Sequence, residues 1–219
     1  MDKIVKNTLI NINEVEFGDH ICSIYQDKQQ QFSLLVPFFK AGLENNQKCI
    51  YIADENLRDQ VISEFVRHGI EVEKYLKSNQ MIIITKRESY LKNGFFDPDK
   101  MIEFLKKTEE GALKDGYSGL RLTGEMSWVL ANISDIEKLI RYENKLNNYF
   151  LHSKCVAICQ YNENKFKPEV LLEILDCHPL AIIYGNLFEN FYFSSISNIE
   201  KAAKMPSEVY GDLIKQFNK

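Results

Sequence analysis

Glycine is scarce where a nucleotide-binding chain most needs it. The 219 residues include 10 glycines, and none falls between Gly18 and Gly42. The turn after the first expected strand is Gln26-Asp27-Lys28-Gln29-Gln30-Gln31. A phosphate loop needs glycines so that successive backbone N–H groups can wrap the phosphates, with a lysine to neutralise them. Lys28 alone cannot replace that loop, and no G-x-G-x-x-G run occurs. Ordinary Mg-ATP hydrolysis is therefore not expected. G-x-S-x-G is also missing, which removes the nucleophile elbow of the common serine hydrolases. No complete catalytic motif is left, so the chain is not expected to be an enzyme.

Other absences narrow the class further. The five cysteines, Cys22, Cys49, Cys155, Cys159 and Cys177, are odd in number and form no C-x-x-C pair. The opening Met1-Asp2-Lys3-Ile4-Val5-Lys6-Asn7 is not followed by an apolar stretch, so no secretory leader is expected. The cysteines read as reduced thiols of a cytoplasmic protein. No segment approaches the roughly 18 uninterrupted apolar residues of a membrane span, so no membrane partner is expected. An excess of positive charge is lacking: the formal charge is -4 and the pI about 5.7. Direct binding of nucleic acid is not expected from that balance. No Pro/Gly/Ser-rich linker divides the chain, which reads as one domain over 1–219 with a core at about 15–195 and a helical tail at 196–219.

What is present is an ordinary globular composition, 45% hydrophobic and 26% charged. Gly18-Asp19 turns into a first strand, His20 to Tyr25. Side chains alternate faces along a strand, so His20 and Cys22 project to one side and Ile21, Ser23 and Tyr25 to the other. A helix follows, with the stripe Phe32, Leu35, Val36, Phe39 and Leu43 and with Pro37 as a kink or a later start. Residues 48–53 are a nearly continuous apolar run, as in a parallel strand covered on both faces. Asp54 is the expected cap of the next helix, whose buried stripe is Leu57, Val61, Ile62 and Phe65. A third strand covers 81–85, and Asp97-Pro98 signals a helix start.

The fourth strand runs through Gly119 to Met126, and Ser134 is the expected cap of a helix with the stripe Ile136, Leu139, Ile140, Leu146 and Phe150. Residues 155–161 form a fifth strand, 168–177 a helix and 180–184 a sixth strand; Phe191-Tyr192-Phe193 reads as an antiparallel edge strand. Pro206 is expected to interrupt a helical tail beginning near residue 198. Strands alternating with helices predict an α/β three-layer sandwich, a mainly parallel central sheet flanked by helices.

Several residues could carry chemistry. A thiol beside an imidazole can contact a ligand or act as a sensor, whereas a buried cysteine next to a strand-capping histidine is the bland alternative. A metal held by His20 and Cys22 needs two more ligands, for which Cys159 and His178 are the candidates, without local zinc spacing. Arg121, Thr123 and Glu125 share one face of the fourth strand. They predict either an internal or cross-sheet ion pair or a Glu125 that faces a site at the strand's C-terminal end, where open α/β sheets bind ligands. Trp128, the only tryptophan, is core filler or a pocket wall. Tyr25, Tyr51, Tyr161 and Tyr184 stand at strand ends, where they pack or line a pocket.

These residues resemble the MEDS family, the methanogen/methylotroph DcmR-type sensory domain. The resemblance is carried by Gly18-Asp19-His20-Ile21-Cys22-Ser23-Ile24-Tyr25, by Leu120-Arg121-Leu122-Thr123-Gly124-Glu125-Met126-Ser127-Trp128, and by Cys159-Gln160-Tyr161 with His178-Pro179. It implies a RecA/KaiC-like fold without a Walker A loop. It also implies a non-catalytic sensory role for small hydrocarbon derivatives or methylated compounds, with His20 and Cys22 as sensing residues. The expected ligand-binding set is His20, Cys22, Tyr25, Glu125, Trp128, Cys159, Tyr161 and His178. No cofactor is expected, with a metal at His20/Cys22 as the alternative. Expected partners are a small-molecule ligand, a second copy in a homo-oligomer, and a signalling kinase or transcription regulator. The competing readings are a degenerate nucleotide-binding protein, a metal- or redox-responsive thiol protein, and a pure interaction scaffold.

Overall fold

The computed structural model describes residues 9–194 and 206–217. Its strands are β1 (His20–Tyr25), β2 (Lys48–Ala53), β3 (Met81–Thr85), β4 (Leu120–Glu125), β5 (Cys155–Asn162), β6 (Leu180–Ile183) and β7 (Asn186–Glu189). They form a seven-stranded sheet in the order β3-β2-β4-β5-β1-β6-β7. Every pairing is parallel except β6–β7. The helices are α1 (Lys28–Glu44), α2 (Arg58–Arg67), α3 (Val72–Lys77), α4 (Pro98–Lys114), α5 (Ile133–Phe150), α6 (Pro168–Cys177) and α7 (Phe191–Ser194), and a further helix spans Pro206–Phe217. The architecture is the three-layer α/β sandwich that the sequence predicts.

Strand alternation divides the core in two. Ile21, Cys49, Tyr51, Ile83, Val156, Ile158 and Ile182 pack under α1, α2 and α3 with Phe32, Phe39 and Phe65. Cys22, Ile24, Ile52, Leu122, Ala157, Cys159 and Tyr161 face the opposite layer with Leu105, Leu139, Leu146 and Leu175. β1 lies between β5 and β6, so everything it carries is deep inside. His20 shares the face of Cys22, which turns it toward α5.

Local details correct several expectations. α1 runs unbroken through Pro37 and is capped by Asp27, whose carboxylate accepts from Gln30 N–H at 2.8 Å. Asp54 does not cap α2: Leu57 holds that position, is exposed, and leaves the stripe to Val61 and Phe65. Asn132, not Ser134, caps α5 by accepting from Ser134 N–H. The antiparallel edge is Asn186–Glu189, made possible by Tyr184 and Gly185 at positive φ, and Phe191–Ser194 is a helical turn. The last helix is described over Pro206–Phe217, and residues 198–205, where the helical tail is expected to begin, lie outside the described ones.

Candidate functional site

α5 is amphipathic, and its buried positions include Leu139, Leu146 and Phe150. Glu143 lies on that same stripe, fully buried over the middle of the sheet. Four side chains from three elements converge on its carboxylate. From β1, His20 Nε2 lies 3.0 Å from Oε2. From β5, Cys159 Sγ lies 3.5 Å from Oε2, and Tyr161 Oη donates to Oε1 at 2.6 Å. From the end of α6, His178 Nε2 lies 3.3 Å from Oε2, but it has no well-aligned hydrogen bond there. Cys159 Sγ is also 3.7 Å from His20 Nε2, and the two imidazole rings are 4.0 Å apart.

The far side of each imidazole is fixed as well. His20 Nδ1 is 2.8 Å from Asn147 Oδ1. The Asn147 amide is oriented by its Nδ2, which donates to the Cys177 carbonyl at 2.8 Å. His178 Nδ1 is 2.6 Å from the Ile174 carbonyl. Both Nδ1 atoms thus face oxygens that can only accept, so each carries the proton. In the neutral ring, Nε2 then points a lone pair at Glu143.

Burial pushes the Glu143 carboxyl up, whereas His178 and His20, when they carry a proton on Nε2 as well, outweigh it and pull the group well below the usual carboxylate range. His20 is pulled down, first by burial and then by His178. The Cys159 thiol and the Tyr161 phenol are pushed well up by burial, with Glu143 adding to both. An ionised carboxylate with no water contact costs several kcal/mol unless it is closely paired.

The structure therefore brings His20, Cys159, Tyr161 and His178 together and adds Glu143, which sequence reading missed. Cys22 packs on the same face, but its Sγ lies 3.8 Å from the Leu180 carbonyl and outside this group of ligating atoms. The other expected residues sit elsewhere. Tyr25 accepts from Gln31 Nε2 at 3.3 Å, and Gln31 also donates to Gln160 Oε1 at 2.8 Å. Glu125 is fully buried and forms no ion pair with Arg121. It accepts from Tyr51 Oη at 2.6 Å, from Asn56 Nδ2, and from the consecutive backbone N–H groups of Asp54, Glu55 and Asn56. It anchors the turn after β2, which is where Asp54 is employed instead of as a cap. Arg121 donates to Gln47 Oε1 at 2.6 Å and lies over the Phe38 ring. Trp128 packs between Tyr90 and Phe96, with centroids at 4.9 and 4.6 Å.

The Glu143 group lies in the layer between sheet and α5, away from the sheet's C-terminal edge, since His20 opens β1 and His178 precedes β6. At the edge itself, the N-terminus of α1 is occupied by the chain's own Asp27 carboxylate. The Gln30 N–H, one of the donors that a phosphate would use there, is thus already taken. The molecule is an α/β domain with a KaiC-like fold and a polar centre buried between the sheet and α5. Two solved structures share the fold. They are a KaiC-like protein of Pyrococcus horikoshii, at TM-score 0.54, 14% identity and coverage of 76% of this chain and 70% of that one, and the flagellar accessory protein FlaH of Methanocaldococcus jannaschii, at TM-score 0.53, 16% identity and 84% coverage of both. Residues 19–179 match the family model described as the MEthanogen/methylotroph, DcmR Sensory domain, and the chain belongs to that family. The transcriptional repressor DcmR of Methylorubrum extorquens is 27% identical over 169 residues, 75% of this chain. The match spans 60% of the length of that curated relative. A sensory, regulatory role follows from the family. Among the described residues no helix is long and apolar enough to cross a membrane.

Proposed function

We propose that this chain is a non-catalytic sensor that binds a small molecule at the Glu143 centre. The observation that supports this most is a fully buried carboxylate surrounded by two imidazoles, a thiol and a phenol, in a layer otherwise filled with apolar side chains. Hydrophobic residues of similar volume would stabilise such a layer as well or better, so a function is the better account of the charge. The ligand class is a small hydrocarbon derivative or methylated compound, the class that the resemblance implies. The readout passes to a regulatory partner, and the repressor relative makes a transcription regulator the first choice.

Thermal shift with small halogenated and methylated compounds tests this. A ligand at 100 times its Kd adds about 2.7 kcal/mol. In a chain of this size that raises Tm by about 5–11 °C. The shift should vanish in Glu143→Gln. No shift with any such compound at millimolar concentration refutes the reading.

A further inference from the structure

We infer that His20 Nε2, Glu143 Oε2, Cys159 Sγ and His178 Nε2 form a four-ligand site for a divalent transition-metal ion, with zinc the best chemical fit. The four atoms all lie within 4.8 Å of one another and all four residues are buried. In tetrahedral zinc sites the bonds are about 2.0–2.1 Å to nitrogen and oxygen and about 2.3 Å to sulfur, which sets ligand–ligand edges of about 3.3–3.6 Å. The contacts to Glu143 Oε2 are 3.0, 3.3 and 3.5 Å, and the Cys159–His20 edge is 3.7 Å. Sub-ångström movements would complete the coordination sphere.

The surroundings have the form of a metal's supporting shell. Ligating histidines almost always donate their other N–H to a carbonyl or carboxylate, and ligating carboxylates are themselves hydrogen-bonded. His20 does this to Asn147, His178 does it to the Ile174 carbonyl, and Tyr161 holds Oε1 of Glu143 so that Oε2 alone turns inward. With both rings protonated on Nδ1, two lone pairs and a carboxylate oxygen face one another. A cation between them resolves the conflict. Two extra protons would leave the buried cluster with net positive charge. A divalent ion with one thiolate and one carboxylate is neutral, the cheapest state in a dry layer. The unaligned Nε2 of His178 gains a partner in the same step. A mixed nitrogen, sulfur and oxygen donor set favours zinc over magnesium or calcium. Glu143 thus takes the place that Cys22 holds in the sequence-based metal pair. The inference rests on this geometry and not on the sensing reading.

The test uses the full chain stripped with chelator, dialysed against zinc alone and analysed for bound metal, with cobalt(II) as an optical probe. One ion per chain is expected, together with a thiolate-to-cobalt charge-transfer band. Cys159→Ser should abolish the band, and Cys22→Ser should keep both the band and the stoichiometry. Asn147→Ala, which removes only the support of His20, should weaken zinc by about 10–100-fold. Because the wild-type cobalt spectrum is read directly, the outcome does not depend on any variant folding. No bound zinc, cobalt bound without a thiolate band, or equal affinity in Cys159→Ser overturns the inference. Zinc binding without any small-compound shift refutes sensing and leaves the metal site standing. A compound shift in a chain that takes no zinc does the reverse.

Discussion

Replacing Tyr161 by phenylalanine deletes one oxygen from the centre and little else. The phenol donates to Glu143 Oε1 at 2.6 Å, with both residues fully buried. The ring keeps its edge contact with Phe166, at a centroid distance of 5.3 Å. The loss is therefore one hydrogen bond to an ionised acceptor that water cannot reach, about 1.5–3 kcal/mol. In a chain this long each kcal/mol moves Tm by about 2–4 °C, so a fall of about 3–12 °C is expected. Tyr184→Phe is the matched control. It also removes a phenol–carboxylate bond, to Glu163 at 2.8 Å, but the tyrosine is only half-buried. Its cost should stay below about 1 kcal/mol. Urea unfolding in chelator measures both, and an unchanged m value confirms that only stability has moved. In a Glu143→Gln background the Tyr161→Phe cost should shrink by 1 kcal/mol or more, roughly, because neighbouring groups couple. If the two tyrosine variants cost the same within about 0.5 kcal/mol, the picture of Glu143 as a dry, ionised acceptor is wrong.

Burial pushes the Cys49 and Cys177 thiols up to about 12, and Cys22, Cys155 and Cys159 go well up too. Native protein at pH 8 should therefore react with a disulfide reagent only as fast as it unfolds, and one fast thiol contradicts this. Glu55 is held low: burial raises it, but Ser127, Lys165 and Asn162 outweigh burial. Its folded value lies below its unfolded one, so its stabilisation is present above about pH 4.3 and lost as pH falls further. Glu55→Gln should lower the urea midpoint at pH 7, by the equivalent of about 1 kcal/mol or less, and the gap should close near pH 3. A gap that widens on acidification contradicts the sign. A Cβ at Gly119 would overlap the Phe17 ring and the Lys154 carbonyl, whereas one at Gly111 in α4 meets open space. Gly119→Ala should cost about 1–3 kcal/mol and Gly111→Ala should gain up to about 1 kcal/mol in denaturant midpoints.

The fold was legible because its signals are local. The apolar runs at 48–53 and 155–161 and the Asp97-Pro98 start each report their own element. The errors lay mostly at element ends: two caps were assigned to the wrong neighbour, and the antiparallel edge was placed at 191–193 and not at Asn186–Glu189. Asp54 and Ser134 are good caps by type, but Asp54 N–H is taken by Glu125 and Asn132 reaches α5 first. In the site, His20, Cys159 and His178 stood out by chemical type, while their meeting depends on β1 lying between β5 and β6. No local pattern encodes that order. Glu143 did carry a signal. Leu139, Glu143, Leu146 and Phe150 step by four, three and four, so an acid stands where the stripe calls for an apolar residue. Asn147, four residues beyond it, reinforces the signal. A charged residue inside an apolar stripe marks a buried site more reliably than a histidine beside a cysteine.

The carbonyls at the end of α6 are held in an unusual way. A helix C-terminus is commonly closed by its own chain through a left-handed residue. Here Asn190 Nδ2 takes the Leu175 and His178 carbonyls, and Asn147 Nδ2 takes that of Cys177. The Asn147 amide is one rigid plane with Cys177 at one end and His20 at the other, so the end of α6 and the imidazole of β1 are tied to a single group. The Pro206–Phe217 helix in turn packs on α6. The centre of the sheet is thereby joined to the outer layer through Asn147, the end of α6 and the helix packed on it.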